Sequence, residues 1–287
     1  MDFAATQWHN QGSHITWRQQ QFFYRTEGEG EPLLLLHGFP TSSLDWYKVW
    51  DVLKQKYKLI TLDYIGYGFS DKPSEYEYSI KDNADIVGFL LGKLNIESYH
   101  LLAHDLGDSV AQELLARQQD VRGKHILSCC LLNGGLFPET HRPTVTQKLL
   151  LSPLGFIASR MVTYKKFVAS FSLLFPEASR PTEAELKTIY ELILYNNGNK
   201  ITHKLIKYII ERRNNRERWV AALQNAACPL LLIDGLEDPV SGRHMVQRYR
   251  ELVPLSRVAE IANCGHYPQL EYPDKVLDQY FKFRSNY

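Results

Sequence analysis

The chain has 287 residues, 44 % of them apolar and 23 % charged, enough for the core of one large α/β unit or two small domains. Its 33 lysines and arginines nearly cancel its 32 aspartates and glutamates, leaving a formal charge of +1. That balance predicts neither nucleic acid nor an anionic membrane as partner.

The N-terminal MDFAATQWHNQGSHITW holds no apolar signal core and no membrane-length run, so a cytoplasmic protein is expected. Two strands are predicted at His14 to Gln20 and Gln21 to Thr26, before the turn-rich EGEGEP. PLLLLHG follows, a short continuous apolar run of the kind a strand buried on both faces shows. KLITLDY, YHLLAHD, ILSCCLLNG and PLLLIDG repeat it, with helical stretches between them at Ile80 to Leu91 and Ser109 to Arg117. Strand and helix alternating in this way imply a parallel sheet with helices on both faces. From about Leu136 to Leu223 the alternation stops and the chain reads as helix, punctuated by Pro143, Pro153, Pro176 and Pro181. Such an insertion would stand over the carboxyl ends of the strands, where α/β sheets place ligands. The expected division is a core over residues 1–135, a helical cap over 136–222 and the rest of the core over 223–287.

The four cysteines, Cys129, Cys130, Cys228 and Cys264, fall in no metal-ligand spacing and read as buried free thiols. The adjacent Cys129 and Cys130 would point to opposite faces of a strand.

Chemistry concentrates in LLAHDLGDSVAQELLAR. A buried strand runs to Ala103, a helix is expected from about Ser109, and Ala103-His104-Asp105-Leu106-Gly107 lies between. That is the layout of a nucleophile elbow, with small residues around a crowded turn and Asp105 in place of a serine. A carboxylate beside a helix N-terminus is favoured in its ionised, attacking form. An Asp at such a place can also be a simple helix cap. The later residues favour the first reading: Asp238 follows strand PLLLIDG, and His266 lies in a loop after the last strand. Nucleophile, acid and histidine then occur in the hydrolase order.

HGFPTSSLDW, LDYIGYGFSDKP, AHDLGDSVAQELL, GLEDPV and GHYPQLEYPD together resemble the α/β-hydrolase group that contains epoxide hydrolases and haloalkane dehalogenases. The resemblance implies an α/β-hydrolase fold: a mostly parallel eight-stranded sheet, helices on both faces, and a helical cap inserted after the sixth strand. It also implies that His37-Gly38-Phe39-Pro40 forms the oxyanion loop, with a cis bond before Pro40 and the N–H groups of Phe39 and Leu106 as donors. His37 reads as a structural residue of that turn. Asp63, Gly66, Gly68 and Ser70 read as scaffold.

A carboxylate nucleophile attacks an electrophilic sp³ carbon and becomes an alkyl ester. His266, oriented by Asp238, would activate the water that cleaves it. The expected partners are therefore water and a small apolar electrophile, an epoxide or an alkyl halide, with no cofactor. No metal cluster or phosphate loop is visible, and Gly66-Tyr67-Gly68 is too short for a dinucleotide fingerprint.

The leaving group separates the two substrates. Dehalogenases of the group carry a Trp after the nucleophile and often an Asn in the H-G-x-P loop, whereas Leu106 and Phe39 here have no side-chain donor. Some use a Glu after the sixth strand as acid; Asn133 stands there, so Asp238 must serve. Epoxide hydrolases of the group use cap tyrosines. Tyr208, 21 residues before Pro229, resembles one of them, and Tyr164, Tyr190 and Tyr195 are candidates for the second. Epoxide hydrolysis is the leading expectation. A dehalogenase using His141 or His203 is the enzymatic alternative. A non-catalytic binding protein on the same fold is the alternative of another class, and retention of Asp105, Asp238 and His266 speaks against it.

Overall fold

The computed structural model describes residues 3–120, 125–255 and 257–287. Eight strands, β1 (Ser13–Trp17), β2 (Gln20–Glu27), β3 (Glu31–Leu36), β4 (Tyr57–Leu62), β5 (Ser98–His104), β6 (His125–Leu132), β7 (Leu230–Gly235) and β8 (Arg257–Ile261), form one sheet. Its order is β1-β2-β4-β3-β5-β6-β7-β8, with β1, β2 and β4 antiparallel neighbours and every other pair parallel. The mostly parallel eight-stranded sheet expected from the sequence is therefore present.

The first hairpin departs from the predicted boundaries. The break falls at Arg18 and Gln19, both at positive φ (42° and 72°), which makes the two-residue turn whose twist suits a hairpin. β2 consequently starts at Gln20. Before it, α1 (Phe3–Asn10) seats Trp8 against Trp50.

The remaining helices alternate with the strands: α2 (Tyr47–Leu53), α3 (Ile80–Lys93) and α4 (Leu106–Asp120) come before β6. Between β6 and β7 lie α5 (Val145–Leu151), α6 (Gly155–Arg160), α7 (Tyr164–Phe171), α8 (Glu183–Leu194), α9 (Thr202–Leu205), α10 (Tyr208–Asn214) and α11 (Arg216–Gln224), with no strand among the described residues there. α12 (Arg243–Leu252), α13 (Pro268–Glu271) and α14 (Pro273–Arg284) complete the chain. Local signals start several of these. Ser79 caps α3, and Thr144 with Gln147 and Thr182 with Glu185 form capping boxes at α5 and α8. α11 belongs with the core by its contacts: Trp219 Nε1 donates to Glu113 of α4, and Gln112 of α4 donates to the Trp219 carbonyl.

One apolar cluster, under α3 and α4, contains Cys129; the other, under α2 and α14, contains Cys130. The pair does face opposite sides of β6, and all four cysteines are free and buried. A third cluster of Phe167, Phe171, Phe175, Leu186, Tyr267 and Leu270 joins the helical segment to the loop after β8. No helix among the described residues is long and apolar enough to cross a membrane.

Register positions the site. Leu36 pairs with Ala103, His104 with Leu132, and Leu132 with Ile233. Four adjacent strands therefore run out together, delivering His37, Asp105, Asn133 and Asp238 to one edge of the sheet.

Candidate active site

Asp105 occupies the turn between β5 and α4 at φ +47°, a left-handed conformation that costs a non-glycine residue free energy and is found where function demands it. The helix begins at Leu106, three residues before the predicted start at Ser109, because this one residue completes the reversal. Close packing makes small neighbours obligatory. A Cβ on Gly107 would lie 2.4 Å from the Leu36 carbonyl oxygen, and one on Gly38 would lie 2.8 Å from His104 Nδ1 and 2.9 Å from Asp105 Cβ. The His37–Pro40 loop thus rests directly on Asp105. The Phe39-Pro40 bond is cis, as the resemblance implied. The Phe39 N–H donates to Asp105 Oδ2 at 3.0 Å. Leu106 opens α4, and its amide is among the N–H groups for which a helix has no internal acceptor.

His266 bridges two carboxylates. Its Nδ1 lies 2.7 Å from Asp238 Oδ2, and its Nε2 lies 4.0 Å from Asp105 Oδ2. Asp238 also accepts from Asn133 Nδ2 at 3.0 Å and from the Val240 N–H at 2.8 Å, and its Oδ2 lies 2.8 Å from Ser241 Oγ. Asn133, where some relatives of the group carry an acid, thus orients Asp238. Burial opposes the imidazolium, but the flanking Asp238 and Asp105 outweigh it and raise His266 to about 9. Burial also opposes ionisation of Asp238, yet His266 and the hydrogen bonds keep its carboxyl below the usual carboxylate range.

Sequence reasoning missed Arg212. From α10 its Nη2 reaches the Asp105 carbonyl oxygen (2.9 Å) and Oδ1 (3.3 Å), and its Nε donates to Ser109 Oγ at 2.6 Å. Only 2 % of Arg212 is exposed, so water screens this pair poorly. Against the penalty of burial, Arg212 first and His266 second hold Asp105 ionised. Nη1 of Arg212 has no hydrogen-bond partner among the described residues, and neither has either ring nitrogen of His141. Burial and the nearby Arg212 lower His141 to about 4.

The other motif histidines are neutral. Burial and the adjacent His266 lower His104 to about 3, and its Nε2–H donates to the His266 carbonyl at 2.7 Å. His37 donates from Nδ1 to the Gly38 carbonyl and accepts the Tyr64 N–H on Nε2, so both nitrogens serve the turn. Asp63 accepts the Ser43 and Phe69 N–H groups at 2.7 Å each, as scaffold.

The candidate tyrosines part company. Tyr208 is buried at the start of α10, its ring 5.5 Å from that of Phe39 and 4.5 Å from the Arg212 guanidinium carbon. Its hydroxyl lies near Gln147 and Arg212, and burial keeps it protonated far above ordinary pH; no well-formed hydrogen bond satisfies it among the described residues. Tyr164 donates to the Glu183 carbonyl and Tyr190 to the Val162 carbonyl. Tyr195 packs on Phe69 under the ammonium of Lys72. Neither these three nor Tyr208 lines the cavity of about 350 Å³ that reaches Phe39, Pro40, Val240 and His266; Tyr208 adjoins it through Phe39 and Gln147, both of which do. His203 faces Ser159 at 3.3 Å.

Residues 31–273 match the family described as alpha/beta hydrolase fold. The chain belongs to the α/β-hydrolase fold family. Within that family it is 40 % identical to the mesoderm-specific transcript protein of Mus musculus, over 99 % of this chain and 89 % of that one. It is 36 % identical to the protein LipZ of Mycobacterium tuberculosis, over 94 % of each, and 28 % identical to the cis-3-alkyl-4-alkyloxetan-2-one decarboxylase of Shewanella oneidensis, over 88 % and 82 %. Among solved structures, the epoxide hydrolase CorEH aligns with a TM-score of 0.79 at 18 % identity over 96 % and 98 % of the two chains. A haloalkane dehalogenase loop variant from Bradyrhizobium elkanii aligns at 0.78 and 21 % identity, over 96 % of each.

Within this α/β-hydrolase, the structure brings Asp105, Phe39, His266, Asp238 and Tyr208 together and leaves Tyr164, Tyr190 and Tyr195 outside. One signal could have found Arg212. It stands four residues after Tyr208, hence on the same helical face as that buried ring.

Proposed function

We propose that the chain is an enzyme whose nucleophile is Asp105, which takes an alkyl group from its substrate as an ester, and that epoxides are its leading substrate class. The observation that carries this reading is the pairing of an ionised carboxylate in the elbow with His266 and Asp238 behind it. Oδ2 is held at 3.0 Å by the Phe39 amide, the donor assigned to the later oxyanion, so attack is assigned to Oδ1, which the longer 3.3 Å contact with Arg212 holds less tightly. It bonds to an sp³ carbon of the epoxide while the ring C–O bond breaks, and the opened oxygen takes a proton from the acidic end of the site, for which Tyr208 is our assignment. Alkylation removes the charge of Asp105, one of the groups that keeps His266 protonated. As its affinity for the proton falls, His266 releases that proton, which restores the Tyr208 phenol, and the neutral imidazole is then a competent base. It then takes a proton from water, hydroxide adds to the Asp105 carbonyl carbon, and the amides of Phe39 and Leu106 stabilise the tetrahedral oxyanion. Collapse expels the diol oxygen, which regains a proton from His266, and the carboxyl proton left on Asp105 then passes to His266, restoring the ionised carboxylate and the imidazolium. The helices α5 to α10 act as the cap that excludes water.

A second reading is favoured by Arg212. Esterification of Asp105 leaves a buried guanidinium without its counter-ion, and a departing carboxylate would replace that charge with bidentate geometry. A strained lactone such as an oxetanone releases such a group, and the decarboxylase relative is named for one. The halide reading has less support, since Phe39 and Leu106 offer no side-chain donor.

Intact-protein mass spectrometry of a His266→Gln variant exposed to epoxides, lactones and haloalkanes tests these readings. The expected adduct is the mass of a whole epoxide on Asp105. A whole-lactone adduct selects the second reading, an alkyl adduct lacking halogen makes the chain a dehalogenase, and an adduct mapping elsewhere sinks the Asp105 assignment.

A further inference from the structure

The overall charge of +1 conceals a strong local asymmetry. Residues 140–176 contain no acidic side chain but five basic ones, Arg142, Lys148, Arg160, Lys165 and Lys166. All five are exposed, and none is paired with a carboxylate among the described residues. The same stretch gathers apolar side chains at the surface. Seven of the twelve exposed large hydrophobics among the described residues fall between Val145 and Leu173. Val145 is 82 % and Leu154 60 % exposed, and Phe156 and Ile157 are adjacent exposed residues on α6. Scattered apolar residues are normal on a surface; a concentration of this kind marks an interaction face.

The face surrounds the mouth of the cavity. Residues of α5, α6 and α7 all line it, and Leu149, Met161 and Lys166 are at once exposed and cavity-lining, so they form its rim. We propose that this face docks on an anionic lipid surface, with Leu154, Phe156 and their neighbours entering the headgroup layer, so that the enzyme draws an apolar substrate from the bilayer. Charge selects the occupant. Two copies of the face would bring five cations against five, which opposes self-association. An anionic bilayer satisfies the cations while their aliphatic stems lie along the apolar layer. The sequence-wide balance, read as predicting no membrane partner, averages this patch with acidic surface elsewhere.

Flotation of the full chain with vesicles of phosphatidylcholine alone, and of phosphatidylcholine with phosphatidylglycerol, tests the proposal. The wild type is expected to float with the anionic vesicles and to be released by added salt. Leu154→Glu/Phe156→Glu and Lys148→Glu/Lys165→Glu, four positions outside the cavity lining, should each weaken binding by at least roughly tenfold. The melting temperature should stay constant, and the lysine pair keeps the test open if the first variant fails to fold. Absence of wild-type binding, equal binding to both vesicle types, or a dimer in gel filtration that the variants abolish would each overturn it.

Discussion

The guanidinium of Arg212 lies across Asp105, with Nη2 2.9 Å from its main-chain oxygen and 3.3 Å from Oδ1. It thereby anchors both the strained backbone of the elbow and the oxygen assigned to attack. Arg212→Gln removes the largest influence holding Asp105 ionised, and breaking a buried pair from one side costs about 3 to 5 kcal/mol. Denaturant unfolding should show a loss of that order. The acid limb of single-turnover alkylation should move to higher pH, because Asp105 is then harder to ionise. Arg212→Lys restores the charge without the fork and should recover the pH limb more than the stability. An unmoved acid limb in the Gln variant would leave Arg212 only a structural role.

The His266 contribution to stability has a defined pH window. Its folded-state value of about 9 lies above the ordinary 6.5, so its stabilisation is fully present below pH 6.5 and is lost as pH rises through 9. The full effect is on the order of 3 kcal/mol. Asp105 and Asp238 are lowered instead, so their contribution is present above pH 3.8 and lost in acid. Unfolding free energies at pH 6 and pH 9.5 should differ in the wild type and converge in His266→Gln.

Gly38→Ala should divide the two chemical steps. The new Cβ would press on His104 and on Asp105 Cβ and lift the loop that carries the Phe39 amide. Loss of an oxyanion donor costs roughly 10²- to 10³-fold, and that donor matters most when the ester is cleaved. Rapid quench with mass detection should find the alkyl-enzyme accumulating where the wild type shows little. A variant that never forms the ester would contradict this division.

Tyr208→Phe should act on the other step. Its hydroxyl is buried, protonated and without a well-formed partner, as suits a group held ready for a leaving oxygen. Alkylation by an epoxide should slow by about 10²- to 10⁴-fold, while hydrolysis of a preformed ester stays within a factor of two or so. Unchanged alkylation would transfer the acid role to another group.

Much of the fold was legible because the buried strands in PLLLLHG, KLITLDY, YHLLAHD, ILSCCLLNG and PLLLIDG are short, nearly continuous apolar runs separated by helical stretches. Asp105, Asp238 and His266 were legible for a related reason: each follows a strand, and parallel strands ending in register bring such residues to one edge. Arg212 was not. It comes from a helix whose angle to the sheet is set by packing, and its spacing of four from Tyr208 separates it from the exposed Arg213 only once that ring is known to be buried. The tyrosines failed to separate for the same cause. Tyr190 and Tyr208 both begin or sit within helices of the insertion, and only tertiary packing sends one hydroxyl to the Val162 carbonyl and the other toward Arg212.

The loop that carries His266 is sewn to the helical segment. The His266 amide donates to the Leu174 carbonyl at 2.9 Å, a Cβ on Gly265 would lie 2.2 Å from that oxygen, and Ser179 donates to Glu271 at 2.6 Å. Glu271 in turn accepts the Gly265 and Tyr267 amides. Any displacement of the segment around Leu174 therefore pulls on the histidine. An oversized guest that props the helices apart would meet an enzyme whose base is out of register, so it could be captured as an ester and then not released. On the proposed Asp105 mechanism, size selection would act at turnover as well as at entry, and bulky reactive compounds would become trapping reagents rather than poor substrates.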